Sequence, residues 1–190
     1  MNTISTTVII VILLIIGVFA AMALVRRQRS KRLQERFGPE YDRTIDEVGD
    51  QREAERELEK RVAHVNTLNI RPLTADEVNR YALQWQETQR QFVDEPLAAL
   101  QKADRLIREV MKAKGYPVED FEQRVADISV DYPELVTDYR GMHFIAIKES
   151  KEKVSTEEMR QAMVHGRALF ENLMKQASKE EEEIHQKEKI

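Results

Sequence analysis

Cysteine is absent from the 190 residues, which excludes disulfides, thiolate-bound zinc and a thiol nucleophile together. Glycine is scarce, at six, too few for the glycine-rich loops that cradle phosphates or dinucleotides. Neither a phosphate loop nor a His-Glu-x-x-His zinc helix occurs. The four histidines, His64, His143, His165 and His185, never stand three or four residues apart, so no local pair of metal ligands can be written on one helix face. Glu182 and His185 have the spacing used in carboxylate-bridged bundles, but they lie in a charged tail without partner carboxylates. Sustained period-two alternation is missing, and only "HFIAI" has a trace of strand character. The expectation is a protein with no cofactor, no metal and no recognisable catalytic chemistry. An enzyme of unrecognised type stays open as an alternative.

Charge is also missing from the first 25 residues, which carry no ionisable side chain. What fills them is "VIIVILLIIGVFAAMALV", residues 8 to 25. As a helix these 18 residues span roughly 27 Å, close to the hydrocarbon thickness of a bilayer. A helix satisfies its backbone polar groups internally, so the many β-branched residues are no obstacle in lipid. Residues 26 to 36 then hold six Lys/Arg and one Glu, a net of +5, and residues 37 to 190 hold 24 basic against 33 acidic side chains, a net of −9. Lys and Arg stay on the cytoplasmic side. The N-terminus is therefore expected outside and the rest of the chain in the cytoplasm, with Arg26, Arg27, Arg29, Lys31 and Arg32 against the lipid headgroups. The competing reading is a cleaved signal peptide ending at the small-x-small triplet Ala21-Met22-Ala23, which would make the protein secreted or periplasmic. The lack of Lys or Arg before the run, and its length, favour a retained helix. Gly17 and Ala21 form one small-xxx-small pair that could let two such helices approach. The acidic remainder argues against nucleic acid as a partner.

Beyond the basic segment the pattern is helical throughout. Leu33, Phe37, Tyr41, Ile45 and Val48 share one face, interrupted at Gly38-Pro39. Gly49 closes that stretch, and Asp50 with Glu53 opens a helix whose stripe, Ala54, Leu58, Val62 and Val65, is so narrow that it wants a partner helix from this chain or a second copy. Thr74 and Glu77 form the next capping box, for a helix presenting Val78, Tyr81, Ala82, Trp85 and Phe92. A helix from Pro96 carries Leu97, Leu100, Ala103, Ile107, Val110 and Met111 inward and stops at Gly115 and Pro117. Phe121, Val125 and Ile128 mark a short helix. Asp131 and Glu134 are expected to cap another, which presents Leu135, Tyr139, Met142 and Ala146, widened by Val136, His143 and Ile147. Ser155 and Glu158 cap a last helix bearing Met159, Ala162, Met163, Gly166, Leu169, Phe170 and Leu173. The expected fold class is all-α: a single transmembrane helix in 1–25, a basic juxtamembrane segment in 26–36, a helical stem in 37–73, a compact bundle of about five helices in 74–174 and a charged, fraying tail in 175–190.

Several strings stand out as a set: "RFGPEYDRT", "RPLT", "QRQFVDEP", "GYPVEDFEQR", "DISVDYPELVTDYR" and "STEEMRQAMVHGRALFENLM". Across about residues 36 to 174 they resemble a family of bacterial membrane or secreted proteins with an N-terminal hydrophobic segment. The resemblance implies kinship and brings no activity, fold or catalytic residue with it. It also implies an aromatic where this chain has Gly166, which puts the tight packing of the last helix in question.

The candidate ligand site joins "YRGMHF" to "VHGR". Tyr139, Arg140 and His143 lie within one turn, and His165 and Arg167 lie on another helix. If those helices meet, the five could form a cationic pocket for a small anion. The plainer reading, which is preferred, has Tyr139 and His143 in the core and the arginines covering the surface. Trp85, Phe92 and Tyr116 likewise suit a core better than a ligand cage. The acidic group Glu119, Asp120 and Glu122 suits a solvated first helical turn. The expected function is a membrane-tethered helical interaction or scaffold module, its partners the bilayer and either a second copy or another membrane-associated protein. A membrane-anchored sensor of a small anionic ligand is the alternative.

Overall fold

A computed structural model describes the backbone of residues 3–148 and 154–187, and the side chains of 12–148 and 154–175. Among these residues the chain is all helical, with eight α-helices and one 3-10 turn. It divides into two compact units, Met1–Glu59 and Lys60–Ile190, each of which is taken by itself.

The first unit begins with α1, Thr3–Phe37, which runs from the apolar segment through the basic cluster without a break. Gly38 ends it. Pro39, whose missing N–H costs nothing in a first turn, starts α2, Pro39–Val48, and Gly49 closes α2 in the left-handed conformation. Asp50 Oδ1 then accepts from the Glu53 N–H at 2.9 Å, opening α3, Gln51–Val65. Leu33, Phe37, Tyr41, Ala54 and Leu58 are all buried, so the narrow stripe of α3 is covered within a single copy of the chain. Tyr41 ties the helices together: its hydroxyl donates to Glu55 at 2.8 Å and accepts from Gln51 at 3.1 Å. Among the described residues no helix is long and apolar enough to cross a membrane. Of the predicted span, only residues 12–25 fall among the described side chains.

The second unit takes in the end of α3 and then α4 (Ala75–Gln91), α5 (Pro96–Lys114), α6 (Phe121–Asp131), a 3-10 turn (Pro133–Leu135), α7 (Val136–Ala146) and α8 (Thr156–Lys187). The five helices α4 to α8 match the bundle expected from periodicity. The spine is α5, which packs against α4, α7 and α8 and fully buries Leu100, Ile107, Val110 and Met111, each such side chain stabilising by roughly 1.5–3 kcal/mol. Trp85 of α4 stacks on Phe170 of α8 at 4.4 Å between ring centroids. The predicted capping boxes are present at Thr74/Glu77 and Ser155/Glu158. At Gly166 the helices approach closely: a Cβ there would fall 2.8 Å from Met142 Cε and 3.5 Å from Ile107 Cδ1. Met142 fills the space an aromatic at 166 would need, so the packing around α8 is tight.

Two expectations need correction. Asp131 and Glu134 do not cap α7. The Asp131 carboxylate accepts from the Tyr116 hydroxyl at 2.6 Å instead, and the chain enters α7 through the 3-10 turn, whose N-terminus has no side-chain cap. Ile147 does not widen the buried face of α7, because the helix has ended and the side chain is 61% exposed. The backbone of α8 continues past 175 to Lys187, through a run of Glu, Lys and Gln, all good helix formers. The side chains of Glu182 and His185 lie outside the described residues.

Candidate functional site

The strongest concentration of buried polar chemistry lies where α5, α6 and α7 meet. Tyr139 and His143 stand one turn apart on α7 and face inward. His143 Nδ1 lies 2.9 Å from Asp104 Oδ1 of α5, and its ring stacks on Phe121 of α6, 3.9 Å between centroids and 15° from parallel. Tyr139 is fully buried, and its hydroxyl accepts from Arg124 Nε of α6 at 3.2 Å. Arg124 in turn donates through Nη1 to the Val118 carbonyl at 2.5 Å. Burial pushes the Tyr139 phenol up to about 12, with the charge of Asp104 adding to the rise and Arg124 opposing it. The hydroxyl therefore keeps its proton at neutral pH. Arg108 approaches the second oxygen of Asp104 at 3.5 Å.

A histidine oriented by a carboxylate is the core of many acid–base sites. Here the ring is covered by Phe121, its side chain is 13% exposed, and among the described residues no serine or threonine hydroxyl reaches it. The arrangement reads as a brace: one buried Asp–His pair and one Arg–Tyr bond tie three helices together. Each member satisfies a polar group that would otherwise be costly inside the bundle.

The five sequence-predicted ligand residues do not share a partner. Arg140 Nη1 donates to Glu122 Oε2 at 3.0 Å. His165 Nδ1 lies 3.4 Å from Asp138 of α7. Arg167 pairs with Glu171 on its own helix at 2.7 Å. With His143 on Asp104, each of these four side chains faces a different carboxylate. Compared with known protein families, curated proteins and solved structures, the chain matches none. Among the described residues no three His, Cys, Asp or Glu side chains come together to hold a metal ion.

Asp104 and Arg124 are the residues that reading the sequence missed, although a signal was there. Asp104 sits between Ala103 and Ile107 on the apolar stripe of α5, and Arg124 beside Val125 on that of α6. A charge at a core-facing position has to find a partner inside. Of the five predicted headgroup residues, Arg26, Arg27, Arg29, Lys31 and Arg32 are all exposed along α1. Arg29 forms a two-toothed pair with Glu59.

Proposed function

We propose that this chain is a membrane-tethered helical interaction module, held by the apolar half of α1 with its N-terminus outside and its bundle on the cytoplasmic face of a bacterial inner membrane. The observation that carries the reading is the surface of α1. Between Ile12 and Val25, ten large apolar side chains are 45–67% exposed, with no polar face among them. In water such a surface would be larger than a soluble monomer normally leaves uncovered, whereas lipid covers it on every side. The same helix then turns basic at Arg26 and continues into folded structure, so the tether and the folded body share one rigid element. The Asp104–His143 and Arg124–Tyr139 pairs, each bonded between helices, support a binding or scaffolding role rather than catalysis.

A reporter that matures only in the cytoplasm, fused after Ile190, is expected to be active. The chain is expected to stay in the membrane pellet after alkaline carbonate extraction and to cross-link there to a second copy or to another membrane protein. Activity of a periplasm-specific reporter instead, or a mature chain beginning near Leu24, would overturn the reading.

A further inference from the structure

The basic residues of α1 fall into two sets. Arg26 and Arg29 lie on the stripe continued by Leu33 and Phe37, at spacings of three and four, and so turn toward α3. Arg27, Lys31 and Arg32 project elsewhere. Arg29 bonds Glu59, and Arg26 shares a cleft with Ser30, Gln51, Arg52, Glu55 and Arg56. Gln51 and Arg52, in the first turn of α3, thus lie across the cleft from Arg26, the first charge after the apolar run.

Between the two helices lies a cleft of about 350 Å³, with Arg26, Arg29, Arg52 and Arg56 on its walls and Glu55 as its one acid. Glu59 neutralises Arg29 from outside the cleft lining. Glu55 is committed to its own hydrogen bonds with Tyr41 and Gln51, at 2.8 and 3.0 Å. Burial pushes its carboxyl up, but bonds from Ser30, Tyr41 and Gln51, with the charge of Arg29, outweigh that and hold it below the usual carboxylate range. Among the described residues Arg26, Arg52 and Arg56 make no ion pair; Arg56 Nε donates to the Arg52 carbonyl at 3.2 Å. Three arginines without an ion pair thus line one concavity beside a single carboxylate, where an anion would relieve the excess positive charge. The planar donor fork of arginine suits phosphate oxygens.

We propose that this cleft binds the phosphate of one anionic phospholipid headgroup, held by Arg26 from α1 and by Arg52 and Arg56 from α3. The inference rests on the tether reading, which puts the cleft where α1 leaves the hydrocarbon and so among lipid phosphates. It goes beyond diffuse attraction of a basic segment to a membrane, because two of the three arginines come from a helix separated from that segment by α2.

The test uses the full chain in mild detergent, titrated with phosphatidylglycerol and read by native mass spectrometry at high ionic strength, where diffuse surface attraction is screened. The double variant Arg52→Gln/Arg56→Gln removes two exposed cleft arginines. The control Lys60→Gln/Arg105→Gln removes the same charge at exposed positions outside the cleft and the basic segment. The expected result is retention of one lipid by wild type and control, weakened about tenfold or more in the cleft variant, with phosphatidylcholine not retained by any form. Equal weakening in both variants would reduce the effect to general charge and overturn the proposal. So would inorganic phosphate displacing no lipid yet binding the cleft by itself, which would make it a site for a free anion. Carbonate extraction of the same variants separates the two readings. A chain that washes out of membranes defeats the tether, whereas a chain that stays in them without Arg52- and Arg56-dependent lipid defeats the cleft alone.

Discussion

Asp127 is fully buried on α6, and its two oxygens are treated differently. Oδ1 accepts from Gln123 Nε2 at 2.8 Å and lies 3.6 Å from His64 Nε2, whereas Oδ2 is buried with no hydrogen-bond partner. Burial pushes the carboxyl up. Gln123 and His64 pull it back in part, and the negative charge of Asp131 adds to the rise. An unfolded aspartate titrates at about 3.9, so just above that pH the folded chain holds a proton that the unfolded chain has lost. Stability from this residue is therefore complete below about pH 4 and declines as pH rises through the higher folded pKa. Asp127→Asn keeps the shape and the acceptor for Gln123 while removing the titration. Relative to wild type its Tm is expected to improve between pH 4 and pH 7 by a few degrees, about 1 kcal/mol, the lower end of the cost of an unsatisfied buried group. Parallel Tm-against-pH curves for the two proteins would show that Asp127 carries no such burden.

Helix ends show which elements were legible in advance and why. Thr74 with Glu77, Ser155 with Glu158 and Gly115 are all signals within four residues of the end they mark, and all three act as expected. Asp131 looks the same in sequence and behaves differently, because the Tyr116 hydroxyl fifteen residues away claims its carboxylate. The polar cluster at Tyr139 and His143 was only half legible for the same reason. Tyr139 and His143 were correctly placed on an inward face, but Asp104 and Arg124, which complete the cluster, come from helices that only the fold brings near. Gly115 allows a direct check at this scale. Its φ is +101°, and a Cβ would run into the Asn69 carbonyl, with Ile70 Cα at 3.5 Å. Gly49 has a φ of +77° and open space around it. Gly49→Ala should cost only about 1 kcal/mol for the backbone conformation. Gly115→Ala should cost more, about 1–3 kcal/mol for the strain with the backbone collision added, and so lower Tm by several degrees beyond the Gly49 variant. Equal losses in thermal melts of the two would mean that the collision is relieved by movement of the 69–70 segment.

At the scale of the whole molecule, the described apolar residues fall into two sets, one exposed along α1 and one buried after it. Every described residue from Ile12 to Arg29 is exposed, and the first buried one is Leu33. The described core of both units thus lies after the apolar run, although that run holds the densest hydrophobic sequence in the chain. A chain that needed those side chains for its own core would have folded them in, at roughly 1.5–3 kcal/mol apiece. Their exposure suits a segment whose apolar surroundings come from outside. It follows that the folded body should not depend on them. A chain beginning at Arg26 is expected to stay soluble without detergent, to remain predominantly helical by circular dichroism, and to melt cooperatively within about 2–4 °C of the full chain in micelles, the equivalent of about 1 kcal/mol. It should also lose carbonate-resistant membrane association altogether. If instead the shortened chain aggregates or shows no cooperative transition, residues 1–25 are part of the fold, and the separation of tether from body fails with it.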